Sequence, residues 1–212
     1  MTIKPSNEEG LIICLSGPSG VGKGTVIRKM LETRSDMRLS ISMTSRSPRY
    51  NEQDGIHYHF TDRANFEELI RQSKILEYDE YMDNYYGTPE APIRELVAQG
   101  ISMLLDLTVV GALAVKRKFP QALTVFLMPP SQAALKKRLS SRGTESGEII
   151  ERRLAVAASE ISQAVEFDYV IINDDLESTV AKFSSICTAE QSRTERMGEA
   201  IARLQKEFCQ YS

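Results

Sequence analysis

Gly17, Pro18, Ser19, Gly20, Val21, Gly22, Lys23, Gly24 and Thr25 are consecutive, and together they have the chemistry of an anion cradle. The four glycines let the main chain curl close to a ligand with its amide N–H groups turned inward. Lys23 adds a compact positive charge, placed to lie against the terminal phosphates of a nucleotide. Gly24 stands where such loops usually carry a hydroxyl, and the hydroxyl comes one residue later, at Thr25.

A second group of residues suits a single phosphate. Ser42-Met43-Thr44-Ser45-Arg46-Ser47-Pro48-Arg49 sets two arginines three apart around a proline. Pro48 stiffens the turn, so both guanidinium groups can point one way. Guanidinium forks match phosphate oxygens better than an ammonium does. Tyr58, in Gly55-Ile56-His57-Tyr58-His59-Phe60, could bring a hydroxyl to the same phosphate. Glu77 follows Ile75 and Leu76 in a half-apolar strand pattern. A carboxylate accepts two hydrogen bonds side by side, and guanine offers matching donors where adenine does not. Thr88 adds a hydroxyl for the base. Taken singly, a basic loop reads as solvated surface and a lone glutamate as an exposed one. Beside a phosphate-binding loop they read as a site.

These residues need a scaffold. Leu11-Ile12-Ile13-Cys14-Leu15 before the glycine-rich loop and the helical pattern from Val26 to Leu31 after it give the required strand–loop–helix setting. Leu11–Ser16, Ile101–Leu107, Leu123–Leu127 and Tyr169–Asn173 are apolar nearly throughout, as strands covered on both faces must be. Helical patterns fall at Val26–Thr33, Gly111–Lys118, Gln132–Ser141, Glu148–Ala164 and Leu176–Ile186. The alternation predicts an α/β fold with a central parallel sheet between helical layers. Ser42–Tyr86 is rich in Arg, Tyr, Asp and Glu, and predicts an inserted, mostly antiparallel lobe with one helix near Ala64–Gln72. Ser140–Gly147 is a break flanked by arginine-bearing helices, as expected of a lid.

The organisation expected is an extension at 1–10, a domain at 11–187 and a helical tail at 188–212. Within the domain, 11–41 and 89–187 form the core, 42–88 the lobe and about 140–153 the lid. In the tail, Met197, Ile201, Leu204 and Phe208 recur on one helical stripe, either packed on the domain or joining two subunits.

The chain has 212 residues, 42% of them hydrophobic, ample for one such domain. A net charge of −3 argues against a general nucleic-acid binder. No apolar run approaches the ~20 residues that cross a bilayer. Cys14, Cys187 and Cys209 form no metal-binding pair or disulfide framework, and with a polar N-terminus they suggest a cytoplasmic protein. Cys14 reads as a small buried residue of the first strand.

From Leu11 to Ile186 the chain resembles the guanylate kinases of the nucleoside monophosphate kinase group. The resemblance rests on the glycine-rich loop and on Thr44-Ser45-Arg46-Ser47-Pro48-Arg49, Asp54-Gly55-Ile56-His57-Tyr58-His59-Phe60 and Asn84-Tyr85-Tyr86-Gly87-Thr88. Pro129-Pro130-Ser131, Lys137-Arg138-Leu139, Arg142-Gly143-Thr144-Glu145 and Asn173-Asp174-Asp175 complete it. It implies ATP as donor, GMP or dGMP as acceptor, and magnesium brought with ATP and held through Thr25 or water. Ser42, Arg46, Arg49, Tyr58 and Tyr86 would grip GMP, with Glu77 and Thr88 on its base. Lys23 and the loop would hold ATP, Asn173 would approach its adenine, and Arg138, Arg142 and Arg153 would close over the transferring group.

One departure touches the acceptor. The family usually carries two acidic residues, one apart, at the end of the central strand. Here Leu105-Asp106-Leu107-Thr108 keeps only Asp106, and the resemblance implies that Asp106 and Thr108 contact GMP. If Thr108 stands in a GMP contact, the lost charge-assisted hydrogen bond costs on the order of 1.5–3 kcal/mol. A kinase of another purine monophosphate is therefore a second reading. A non-catalytic, partner-binding relative is a third, and the intact Lys23, Thr25 and arginines oppose it. A simple ATPase or GTPase leaves Arg46 and Arg49 unexplained. The subunit number expected is one or two.

Overall fold

Apolar residues at consecutive strand positions need cover on both faces, and the central sheet supplies it. The computed structural model describes residues 9–140 and 147–209. β1 (Ile12–Ser16) leads through the glycine-rich loop into α1 (Lys23–Thr33) and the short β2 (Met37–Leu39). The lobe follows as β3 (Met43–Thr44), β4 (His59–Phe60), α2 (Arg63–Arg71), β5 (Ile75–Tyr81) and β6 (Asn84–Pro89). The chain re-enters the core with α3 (Glu90–Ala98), β7 (Ser102–Asp106), α4 (Val109–Lys118) and β8 (Leu123–Met128). Then come α5 (Gln132–Ser140), α6 (Gly147–Ser162), a 3-10 turn at Gln163–Glu166, β9 (Tyr169–Ile172) and α7 (Leu176–Gln191). α8 (Gly198–Phe208) follows.

The main sheet is parallel, in the order β2-β7-β1-β8-β9. Alternate residues of each strand feed opposite cores. Ile13 and Leu15 pack with Val26, Met30 and Phe183, whereas Cys14 packs with Leu105, Ala112 and Phe126. Both faces are therefore closed by helices, which is why the strands carry no polar alternation. Cys14 is buried as expected, and burial pushes its thiol well above the ordinary range. Cys187 is also buried and is pushed up to about 12, while Cys209 is exposed.

The lobe is a separate four-stranded sheet, β4-β3-β6-β5, antiparallel except for the β3–β4 pair. Its helix, α2, buries Phe66, and Asp62 caps it by accepting from the Asn65 N–H. β4 is confined to His59–Phe60, with Tyr58 bridging back to Asp54.

Two core elements lie outside the sequence-predicted set: the edge strand β2 and the helix α3. α7 runs on to Gln191, so position 187/188 falls inside a helix. The centre of the expected lid, residues 141–146 with Arg142, lies outside the described residues. The apolar stripe of α8 is not covered by the domain: Ile201, Leu204 and Phe208 are 40%, 46% and 71% exposed.

Candidate active site

In an open parallel sheet, ligands settle beyond the C-terminal ends of the strands, where connections diverge to either side. The glycine-rich loop leaves β1 at that edge. Gly22 takes φ +103°, and a Cβ there would lie 2.7 Å from Asn173 Nδ2, so only glycine fits. At Gly24 an added Cβ meets nothing within 4 Å. Lys23 opens α1 and curls back, its Nζ donating to the Gly17 carbonyl at 2.8 Å. The same ammonium lies 3.9 Å from the Asp106 carboxylate at the end of β7. Burial raises the Asp106 carboxyl above its ordinary range, and Lys23 opposes the shift. Glu160, on α6, is likewise raised by burial and opposed by Lys23, which places it within the field of that lysine.

Around the loop, Pro18 accepts from the Val21 N–H, Ser19 is exposed and Gly20 is half-buried. Thr25 is exposed on the first turn of α1. Behind the loop lies a brace. Asn173 Nδ2 donates to the Val21 carbonyl at 2.7 Å, and Asn173 Oδ1 accepts from Thr179 Oγ1 at 3.1 Å. Arg138 donates to the carbonyls of Val21 and Asn173 at 3.0 and 2.9 Å. Each polar atom of the Asn173 amide thus makes one bond within the protein, behind the loop. Arg138 shares that brace. Arg153 is half-buried on α6.

In the lobe, β3 and β6 bring Arg46 beside Tyr86. Arg46 Nε donates to Tyr86 Oη at 3.3 Å, and its guanidinium lies 5.6 and 5.8 Å from the ring centres of Tyr58 and Phe60. Its two terminal nitrogens form a fork on Glu52, at 2.8 and 3.0 Å. Glu52 Oε2 also accepts from the Arg49 N–H at 2.8 Å. These bonds hold the Glu52 carboxyl down at about 2. Arg49 itself is exposed, and Ser42 is half-buried with its carbonyl accepting from the His59 N–H. Glu52 is missing from the sequence-predicted site. Its only signal is an acidic residue three positions after Arg49.

β5 and β6 pair Glu77 with Thr88, whose hydroxyl donates to Glu77 Oε1 at 2.5 Å. Burial raises the Glu77 carboxyl above its ordinary range, the Thr88 hydrogen bond lowers it and Asp79 raises it. The carboxylate reaches across to α4, where a Cβ at Gly111 would lie 2.8 Å from Glu77 Oε2. Thr108 is the N-cap of that helix, its Oγ1 accepting from the Gly111 N–H at 3.1 Å. Thr108 Oγ1 thus spends one lone pair on the cap, and its second lone pair and its proton remain able to accept or donate.

The run from β7 into α4 thus touches both halves of the site. Asp106 faces Lys23, and two residues later Thr108 starts α4, whose Gly111 lies against Glu77. Fold and site together define a P-loop nucleoside monophosphate kinase. The guanylate kinase family model matches residues 9–190, and the chain belongs to that family. It is 50% identical to the guanylate kinase of Thermus thermophilus, over 91% of this chain and 87% of that one. It is 43% identical to that of Desulfitobacterium hafniense, over 88% and 94%. The crystal structure of guanylate kinase from Anaplasma phagocytophilum superposes with a TM-score of 0.70 at 36% identity, covering 89% of both chains. The chain is a kinase that phosphorylates GMP with ATP; the readings as a kinase of another monophosphate or a non-catalytic relative find no support in these relatives.

Proposed function

We propose how the residues divide this transfer. Lys23 and the loop from Gly17 to Thr25, through its main-chain N–H groups other than at Pro18, hold the phosphates of ATP. Arg46 and Arg49, with Tyr58, Tyr86 and Ser42, hold the phosphate of GMP or dGMP, and Glu77 with Thr88 reads guanine. Asp106 stands between the two. The observation that carries this reading is that the run from β7 into α4 meets both halves, Asp106 at 3.9 Å from Lys23 and α4 against Glu77.

An oxygen of the acceptor phosphate attacks the γ-phosphorus of ATP in line, a new P–O bond forms, the bond to the β-phosphate oxygen breaks, and ADP leaves with that electron pair. The attacking oxygen is already anionic, so no protein base is needed. The protein's work is positioning and charge neutralisation. Arg46 and Arg49 offset repulsion between the two anionic substrates, and Lys23 with Arg142 and Arg153 neutralises the group in flight. Arg138 and Asn173 act from behind, fixing the loop's curvature.

The donor set suits magnesium. Among the described residues no three His, Cys, Asp or Glu side chains cluster, and a cation that keeps its waters and shares nucleotide phosphates needs few protein ligands. Thr25 would hold it directly or through water, with Asp106 nearby, and it would neutralise phosphate charge. Each chain carries both halves of the site, so one subunit or two serves equally. A cytoplasmic setting suits the free thiols.

The test is ADP release with GMP, dGMP, AMP and IMP as acceptors, for the parent and Glu77→Gln. GMP and dGMP should lead in the parent. In the variant, the KM for GMP should rise by about ten-fold or more while the KM for ATP holds. An unchanged KM for GMP would mean that guanine is read elsewhere.

A further inference from the structure

Arg46 has five N–H donors, and the protein itself occupies four of them. Nε–H goes to Tyr86 Oη, two from one terminal nitrogen go to Glu52 Oε2 and the Ser47 carbonyl, and one from the other goes to Glu52 Oε1. A single N–H is left. A phosphate entering the lobe therefore meets a guanidinium whose plane is already fixed, with little freedom left to lose on binding. The carboxylate that fixes it also accepts the main-chain N–H of Arg49. One side chain thus sets both ends of the Arg46–Arg49 turn. Arg49 keeps its own fork exposed, and among the described residues it makes no ion pair.

We infer that Glu52 is a positioning residue for the acceptor phosphate: forked on Arg46 and bonded to the Arg49 amide, it holds one guanidinium in plane and aims the turn that carries the other. The inference rests on reading Arg46 and Arg49 as the acceptor clamp. Glu52 does not touch substrate. It works through two cations, and the Glu52 side chain, 16% exposed, lies within their pair rather than in the open. Coulombic cost and benefit oppose each other here. A carboxylate near a phosphate dianion repels it, whereas two oriented guanidinium groups attract it. Orientation prevails when one carboxylate charge sits against two guanidinium charges and a fixed main-chain turn.

Glu52→Gln keeps the shape and one acceptor but loses the fork. Its KM for GMP should rise about ten-fold or more, with kcat within about three-fold and the KM for ATP within about two-fold of the parent. Guanosine, which has the base but no phosphate, should inhibit both proteins competitively against GMP with Ki values within about two-fold of each other. Glu52→Asp, which keeps the charge on a shorter stem, should fall between them. A KM for GMP that stays the same or drops in Glu52→Gln would overturn the inference, as would equal weakening of GMP and guanosine, which would make Glu52 a support of the lobe as a whole. Arg49→Ala separates the two levels of the argument. If it too leaves the KM for GMP untouched, the clamp is misassigned. If it raises that KM and Glu52→Gln does not, only the role of Glu52 falls.

Discussion

In the proposed role Glu77 has to be charged to accept from guanine, yet burial raises its carboxyl above the ordinary range. The KM for GMP should therefore climb as pH falls through that raised value, at a higher pH than an exposed glutamate would give. Steady-state kinetics from pH 8 to pH 5, with ATP saturating, measure it. The linkage has a matching sign in stability. A carboxyl whose folded value is raised favours the fold when protonated, and that contribution is lost as pH rises past the folded value. Glu77→Gln should melt higher than the parent at pH 7, with the gap closing toward pH 4, even though it uses GMP poorly. Thr108→Asp is expected to keep the cap of α4, since aspartate caps as well as threonine. It would also set a second carboxylate beside Glu77 and raise that group further, so its GMP profile should shift to higher pH. Lys23→Ala should lose most turnover while GMP binding, measured by calorimetry, persists. The chemistry of these residues could be read in the sequence because their types are rare together and closely spaced. The partners of Glu52, Asn173 and Arg138 could not. Glu52 is one of many surface-type acids, and the other two bind backbone carbonyls, which every residue possesses.

At the level of elements, the loop between β1 and α1 separates glycines that are needed from one that is not. Gly22→Ala forces a side chain into left-handed backbone and against Asn173, and should abolish ATP binding measured by calorimetry. Gly24→Ser meets open space within the first turn of α1. It should leave GMP kinetics unchanged and raise stability by a few tenths of a kcal/mol, by about 0.5 at most, through helix propensity, read from denaturant midpoints. The strands of the main sheet were legible because two-faced burial writes itself as an apolar run. β2 was not: only Met37 of its three residues is buried, and it lies at a sheet edge. α3 was hidden by Pro92, which reads as a breaker. It sits in the first turn, where its missing N–H would find no partner in any case. The predicted helix Glu148–Ala164 runs two residues into the 3-10 turn at Gln163–Glu166, since tighter winding leaves no mark on apolar spacing.

For the whole molecule, the family match ends at residue 190, before α8 begins. No residue of that helix is buried, and Arg196, just ahead of it, donates to the Gln121 carbonyl at 2.7 Å. Removing residues 198–212 should leave kcat and both KM values unchanged and move the melting temperature by no more than about 2 °C, since little burial is lost. Periodicity announced the stripe but could not say what it faces, because an apolar row looks the same against a domain, a second copy or water. The lobe has a subtler dependence on the core. The Glu77 carboxylate, the proposed reader of guanine, rests where the first turn of α4 has no side chain, so the missing methyl at Gly111 leaves it room. A methyl placed there would act as a shim, propping the lobe ajar by the thickness of one carbon and loosening purine choice from a position that carries no charge and touches no phosphate.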